Sequence, residues 1–218
     1  DAKVTDNRVM NNKSDGILIH TASDKPKVRQ NTVTDNSGDG IKTDGISAPE
    51  VAENTVRSNN IGIYICRCGD SLINGNTTET NRNKGIYVEG NLNGNGASRD
   101  YFSTITGNTV KADRLSGILV FHAKADINKN NVSDTGAGVG EGIVVQYSGD
   151  SIISENNISG VKSAEYNNGN GIIVANNSEN VIVYKNKVAS SGNHGIQVTY
   201  SSNNVTVLAN DVSGSGHQ

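Results

Sequence analysis

The chain has 218 residues, of which 32 are Asn and 25 are Gly, while hydrophobic residues make up only 33% and Trp is absent. So little apolar material excludes one thick globular core, but it suffices for a thin core that repeats along an axis. The net charge of −3 offers no bulk attraction for nucleic acid, so we expect no such partner. Since no run of 18 apolar residues occurs, we also expect no membrane span.

The first pattern along the chain is a repeat in which a β-branched residue stands three positions before an Asn and a small or β-branched residue stands two positions after it. Its asparagines are Asn7, Asn31, Asn54, Asn76, Asn108, Asn130, Asn156, Asn186 and Asn210. Asn suits a tight turn because it tolerates the left-handed backbone conformation. Its amide both donates and accepts, so we expect stacked asparagines to bond along the axis as a ladder.

A second pattern, Gly-Ile-x-(Ile/Val) or a close variant, lies between the asparagine repeats. It begins at Gly16, Gly40, Gly62, Gly85, Gly117, Gly142, Gly171 and Gly195. Most of these glycines are 22 to 25 residues apart, and the two longer spacings, of 32 and 29 residues, indicate inserted loops. A unit of 22–24 residues with three short alternating strands and three turns predicts one coil of a parallel β-helix.

These Gly-Ile-x-Val and Ile-x-x-Asn-x-Val units resemble the repeats of the right-handed parallel β-helix superfamily over nearly the whole chain. That superfamily includes pectin-lyase-like enzymes, the catalytic modules of mannuronan C5-epimerases and the periplasmic nitrous-oxide-reductase maturation protein. The resemblance implies an all-β fold, a right-handed single-stranded parallel β-helix of about eight coils with an Asn ladder. It is specific for the fold and says much less about function.

Both ends of the chain are half coils, and neither has an amphipathic capping helix. Uncapped ends expose core residues and unpaired strand edges. We therefore expect residues 1–218 to form a single β-helix. It is either a fragment of a longer chain that lacks its caps, or its ends are closed by oligomerisation.

Alternation along the Gly-Ile-x-Val strands predicts two outward columns of side chains. Ionisable and aromatic residues collect in the first four coils, and apolar residues follow in the next three. Aromatic rings can stack on sugars and cations can meet uronate carboxylates, so the columns predict a strip that binds a polysaccharide. The first column contains Leu18, Lys42, Tyr64, Tyr87, Leu119, Val144, Ile173 and Gln197, and the second contains His20, Asp44, Cys66, Glu89, Phe121, Gln146, Ala175 and Thr199.

The resemblance also implies roles for residues of this strip. In the lyases and epimerases of the superfamily a cation neutralises the uronate, a base takes the C5 proton, and a tyrosine or other acid donates one. By that scheme Lys42 or Arg67 neutralises the uronate and His20 abstracts the proton. Tyr64 or Tyr87 is then the acid. Further substrate contacts are expected from Arg67, Arg99, Phe121 and Gln146.

Two other interpretations of the strip stay open. Asp44 and Glu89 lie two coils apart, about 9–10 Å between backbones, close to the carboxyl separation of about 6.5–9.5 Å in inverting glycoside hydrolases. The same side chains are also common cross-strand partners on a solvated sheet face.

The sequence departs from known enzymes of the superfamily. It has no Asp-Pro-His-Glu segment as in mannuronan epimerases, no adjacent Asp-Asp as in polygalacturonases, and no clear calcium-binding carboxylate cluster as in pectate lyases. No metal ligand is assigned, and Ca²⁺ is the one cofactor that the resemblance leaves open.

We interpret the chain as an extracytoplasmic module that is secreted, periplasmic or on a cell or virion surface, and that acts on or binds a polysaccharide, above all a polyuronate. The reaction would be that of a C5-epimerase or lyase, and whether the chain is an enzyme stays open. The main alternative is a non-enzymatic β-helix such as a phage tail or appendage shaft, a surface adhesin or a maturation scaffold.

Overall fold

A computed structural model describes residues 2–20, 24–90, 102–138, 140–162 and 168–216. In these ranges the regular structure consists of 26 short β-strands in three parallel sheets, A, B and C. The chain passes from A to B to C in each coil, which confirms the parallel β-helix predicted from the repeats. Within the same ranges no helix has the length and hydropathy that spanning a membrane requires.

The strands are three to five residues long. Sheet A contains Lys3–Thr5, Lys27–Arg29, Glu50–Ala52, Ser71–Asn74, Phe102–Thr106, Lys124–Asn128, Ile152–Ser154, Ile182–Tyr184 and Thr206–Leu208. Sheet B contains Arg8–Met10, Thr32–Thr34, Thr55–Arg57, Thr77–Glu79, Thr109–Lys111, Asn131–Ser133, Asn157–Ser159, Lys187–Ala189 and Asp211–Ser213. Sheet C contains Ile17–His20, Ile41–Asp44, Ile63–Cys66, Ile86–Glu89, Ile118–Phe121, Ile143–Gln146, Ile172–Ala175 and Ile196–Val198.

Each strand pairs in parallel with the equivalent strand one coil away, so equivalent repeat positions stack. In sheet A, for example, Val28 pairs with Val51. The long spacing between Gly85 and Gly117 leaves this register intact, since Ile86 still pairs with Ile118. Inserted residues therefore lengthen a coil without shifting its strands.

The core is a narrow column of β-branched side chains enclosed by the three sheets. Each coil needs only a few such residues, which explains how a hydrophobic fraction of 33% suffices. One fully buried column of sheet C consists of Ile41, Ile63, Ile86, Ile118, Ile143 and Ile172.

The glycine that opens each sheet C strand is required by close packing. A Cβ atom on Gly40 would collide with the side chain of Val56 and with the carbonyl oxygen of Gly62. The equivalent glycines meet the same kind of neighbours one coil further on, which accounts for their periodicity.

All nine repeat asparagines lie in the turn between sheets A and B and form one continuous ladder, as predicted. The Nδ2 and backbone N of Asn54 both donate to Oδ1 of Asn76, at 2.9 and 3.0 Å. The same two bonds join every successive pair from Asn7 to Asn210 at 2.9–3.0 Å. The amide of Asn54 also donates to the carbonyl of Val28, so its donors are satisfied inside the protein.

The left-handed residue of this turn is not the asparagine, so the sequence prediction was wrong on that point. Positive φ occurs at the residue before it, for example 58° at Glu53 and 55° at Lys129. That residue is exposed and can be of many types, whereas the asparagine is buried in every coil between the first and the last. The turn thus requires Asn for its amide and not for its backbone freedom.

A second ladder, which the sequence analysis missed, runs through the turn between sheets B and C. It links Asn12, Asn36, Asn59, Asn81 and Asp113 by side-chain bonds of 2.8–3.4 Å. It ends there because the register places Thr135 next to Asp113. Each of its members stands five positions after an asparagine of the first ladder, so the same spacing was present in the sequence over these five coils.

Asp113 closes the second ladder as a fully buried carboxyl group. It accepts hydrogen bonds from the backbone N and the Nδ2 of Asn81, both at 2.8 Å, and from the Thr78 hydroxyl at 3.3 Å. Burial raises the pKa of Asp113 to about 7. This position of the ladder therefore holds an acid, whose ionisation is opposed by burial, whereas an asparagine there would have no charge to bury.

Core positions in the last coil are more exposed than those one coil earlier. Val183 and Val188 are fully buried, but their pairing partners Val207 and Val212 are 48% and 38% exposed. An open cavity of about 420 Å³ lies between these two valines and Ile196. That the ends are closed by further chain or by oligomerisation stays a prediction.

The ladder predicts a large difference between two adjacent asparagines. Asn156→Ala removes a buried amide that bonds Asn130, Asn186 and a carbonyl, so it should lower the free energy of unfolding by about 1–3 kcal/mol. Asn157→Ala, on the exposed face of sheet B, should cost less than about 0.5 kcal/mol. Urea unfolding of both variants measures this, and equal losses would contradict the ladder's role.

The raised pKa of Asp113 predicts that the free energy of unfolding depends on pH. Its folded pKa of about 7 lies above the ordinary value of 3.8, so the native state binds the proton more tightly and loses stability as pH rises from about 4 through 7. Asp113→Asn should remove that loss and stabilise the protein by at least about 1 kcal/mol at pH 8, with little effect at pH 4. Thermal melting across pH tests this, with the exposed Asp35→Asn as the control. A pH-independent effect of Asp113→Asn would refute the assignment.

Candidate functional site

The outer face of sheet C carries the two predicted columns in the predicted register. In the first column Lys42 pairs with Tyr64, and Tyr64 pairs with Tyr87. In the second column Asp44 is followed by Cys66 and Glu89 on the next two coils, and then by Phe121. The alternation argument therefore placed these side chains correctly, while their functional roles stay predictions.

Four side chains of neighbouring coils form a stack at the centre of this face. The rings of Tyr64 and Tyr87 are parallel within 11°, with centroids 4.9 Å apart. Lys42 Nζ lies 4.9 Å from the centroid of the Tyr64 ring, and Lys84 Nζ lies 4.9 Å from that of Tyr87. Together with Glu89, whose carboxylate accepts a hydrogen bond from the Tyr64 hydroxyl, these residues are called the tyrosine–lysine cluster.

Lys84 was not a candidate in the sequence analysis. It stands immediately before the repeat glycine Gly85, at a position that stacks in its own column from coil to coil. That column was a usable signal, because its residues are mostly polar: Asp15, Asp39, Ile61, Lys84, Ser116, Glu141, Asn170 and His194. The Lys84 side chain points towards the outer face because of the turn conformation, and strand alternation does not predict that direction.

Burial shifts the ionisation of the cluster. It raises the pKa of the Tyr64 hydroxyl well above its ordinary value, and the hydrogen bond to Glu89 adds to this. It likewise raises the pKa of Tyr87, and it lowers the pKa of the Lys84 ammonium. Both tyrosines therefore stay protonated, so neither is suited to be a base.

Arg67 and Asp44 form an ion pair beside the cluster. Arg67 Nε and one terminal nitrogen lie 2.9 and 2.5 Å from the same carboxylate oxygen of Asp44. Each group thereby satisfies the other's charge, which leaves Lys42 and Lys84 as the better placed cations for a bound anion. His20 is exposed at the end of its strand and in register with Asp44, two coils from Tyr64.

The remaining candidates lie at the edges of the described site. Phe121 contacts a stacked pair formed by His122 and Tyr147, with Phe121–Tyr147 centroids 5.6 Å apart. Gln146 lies one coil beyond Phe121 and lines a separate cavity. Arg99 lies outside the described residues.

No built metal site accompanies these groups in the part of the chain that the structure describes. There, no three side chains of His, Cys, Asp or Glu come together as a metal ion would require. Cys66 and Cys68 are buried free thiols, and Cys68 lies 3.4 Å from the hydroxyl of Thr43.

Solved structures with a similar fold come from polysaccharide-active proteins and a phage tailspike. The periplasmic alginate epimerase AlgG is 16% identical, with a TM-score of 0.64 over 92% of this chain and 61% of its own. The alginate lyase from Paenibacillus sp. str. FPU-7 is 10% identical, with 0.57 over 99% of this chain and 90% of its own. The enzymatically active domain of tailspike protein 2 from bacteriophage CBA120 is 12% identical, with 0.67 over 97% of this chain and 35% of its own.

These likenesses are limited to the fold because the identities are low. The chain spans about three fifths of the epimerase and about a third of the tailspike domain. No curated protein matches the sequence. A family model described as the right handed beta helix region matches residues 1–158 and 104–217. Since these two matches together cover almost the whole chain, the protein belongs to the right-handed β-helix family.

Proposed function

We propose that the protein is an extracytoplasmic polysaccharide-active module that binds a polyuronate at the tyrosine–lysine cluster and removes the C5 proton of one uronate. The observation that carries the proposal is the Tyr64–Tyr87 stack, held between two lysines and hydrogen-bonded to Glu89. Aromatic faces suit sugar rings, and ammonium groups suit uronate carboxylates. Periplasmic and phage-tail structures of the same fold support the placement outside the cytoplasm.

Proton removal from C5 needs the adjacent carboxylate to be neutralised, because a second negative charge develops beside it. Lys42 and Lys84 supply two cations two coils apart, one near each ring of the tyrosine pair. Such fixed charges stabilise the developing anion without reorganisation at the moment of reaction. An epimerase and a lyase share this first step, and the structural neighbours include an alginate epimerase and an alginate lyase.

The arrangement of Glu89 and Tyr64 favours elimination over epimerisation. The two groups are hydrogen-bonded neighbours on one surface, so they approach a sugar from the same face. Epimerisation needs the returning proton on the opposite face of C5. Elimination can use an acid and a base side by side when the C5 proton and O4 leave from the same face.

The elimination step balances within this pair. Glu89 takes the C5 proton, the C5–H electron pair forms a C4=C5 double bond, and the C4–O4 bond breaks. Tyr64 gives its proton to the departing O4. The proton on Glu89 then returns to the Tyr64 oxygen through the hydrogen bond that joins them. His20, the base predicted from the sequence, lies two coils away, about 10 Å between strands, and this distance favours Glu89.

Two further candidates have specific support. The tailspike likeness and the regular stacked coils favour a non-enzymatic shaft, adhesin or scaffold. An inverting glycoside hydrolase is suggested by two carboxylates, Asp44 and Glu89, which lie one coil before and one coil after Cys66. Against it, Asp44 is already paired with Arg67. The first predicts no turnover, and the second predicts new reducing ends without unsaturation.

Elimination predicts unsaturated ends when the protein is incubated with a panel of polyuronates, measured by their ultraviolet absorbance. Tyr64→Phe and Glu89→Gln should each reduce the rate by a factor of about 10²–10⁴, because each removes one proton-transfer group. Tyr184→Phe on sheet A is the matched control, since a lysine also lies over that ring. Loss of activity in His20→Ala with normal activity in Glu89→Gln would reverse the choice of base.

The two lysines predict a salt-dependent affinity for uronate. Lys42→Met and Lys84→Met should each weaken binding of an oligouronate about tenfold and reduce its dependence on ionic strength, because each removes one ammonium–carboxylate contact. Calorimetric titration at two salt concentrations measures both effects. Lys185→Met, which lies over Tyr184 instead, should bind like the unmodified protein. Unchanged affinity in both cluster variants would exclude this site.

A further inference from the structure

A separate cavity of about 360 Å³ lies further along the outer face of sheet C. Its first strand position, Leu119, is one coil beyond Tyr87 in the same column. The cavity extends over the next coils to Gln197. A polymer chain laid along the solenoid axis would therefore pass over the tyrosine–lysine cluster and this cavity in turn.

The floor of the cavity is apolar. Leu119, Val144 and Ile173 stack in register on three successive coils. Val144 and Ile173 are only 3% and 8% exposed and pack together as a small cluster outside the main core. An aliphatic surface of this kind suits the C–H face of a sugar ring, which has little to gain from a charged surface.

The rim of the cavity carries polar groups that can bond hydroxyls. Gln146 and Gln197 offer amide donors and acceptors, and the exposed ring of Tyr200 stands at one side. The Glu141 carboxyl accepts hydrogen bonds from the backbone and the side-chain nitrogen of Asn170, which hold it at the edge. Burial raises the pKa of Glu141 to about 7, so near neutral pH it can accept or donate a bond to a hydroxyl.

The cavity and the tyrosine–lysine cluster differ in the charged side chains that they present to a ligand. Among the described residues that line it there is no lysine or arginine to pair with a uronate, and the one carboxyl is that of Glu141. The cluster, by contrast, presents Lys42 and Lys84. The two halves of the same face therefore select different sugar units.

We propose that the cavity binds an uncharged sugar unit of the polysaccharide whose uronate lies at the tyrosine–lysine cluster. The substrate is then a heteropolysaccharide that carries neutral units beside its uronates. This inference rests on the proposed function, because it assumes that one chain occupies both parts of the face.

The experiment compares three hexasaccharides by calorimetric titration: alternating glucuronate and glucose, all glucuronate, and all mannuronate. The alternating probe should bind about tenfold tighter than hexaglucuronate. Gln197→Ala should weaken the alternating probe about tenfold and leave both homouronates unchanged, because it removes a bond to a neutral unit alone. Leu119→Arg, at a partly exposed position, should reverse the preference by placing a cation on the cavity floor. Asn157→Ala, an exposed amide on sheet B, is the control.

The outcomes separate the two proposals. If a homouronate binds as tightly as the alternating probe and Gln197→Ala has no effect, the neutral subsite is refuted while the proposed function stands. If none of the three probes binds, the proposed function fails and the subsite fails with it. If Leu119→Arg leaves the preference unchanged, the ligand does not contact this floor and the subsite is again refuted.

Discussion

The buried asparagine ladder between sheets A and B is the interaction on which the rest of the structure depends. A buried amide has two donors and an acceptor to satisfy, and an unpaired one costs about 1–3 kcal/mol. Each asparagine meets that need only when another stands at the same height in the next coil. A slip of one residue would leave several amides without partners at once. The ladder therefore sets the register, and the hydrophobic core follows it.

The register set at the turn determines which side chains lie next to one another on the outer face of sheet C. Side chains alternate with a period of two, so a one-residue slip would send the outward column into the core. Because the register holds, Tyr64 and Tyr87 stack and Lys42 lies over the first ring. The same constraint aligns Leu119 and Val144 as a continuous apolar floor. One strand surface thereby carries a half with two lysines and a half with an apolar floor.

The columns could be predicted because strand alternation is a rule of local geometry. Lys84 and Glu141 could not be placed in that way, because both precede a repeat glycine, at the junction of a turn and a strand. There the direction of a side chain depends on the turn conformation. The pairing of Arg67 with Asp44 was also beyond the sequence, since it depends on where a long side chain from a neighbouring coil reaches. Arg67 was consequently expected to meet substrate.

The amino-acid sequence by itself determined the coil length, the three-sheet parallel architecture, the first asparagine ladder and the outward columns. These features follow from periodic patterns of Asn, Gly and β-branched residues, each acting within one coil. The tertiary structure alone decided which charges meet and how deeply they are buried. Burial between stacked coils raises the pKa values of Asp113 and Glu141, and Glu89 bonds to Tyr64, which lies about one coil away in sequence. Burial and contact of that kind arise only when coils stack.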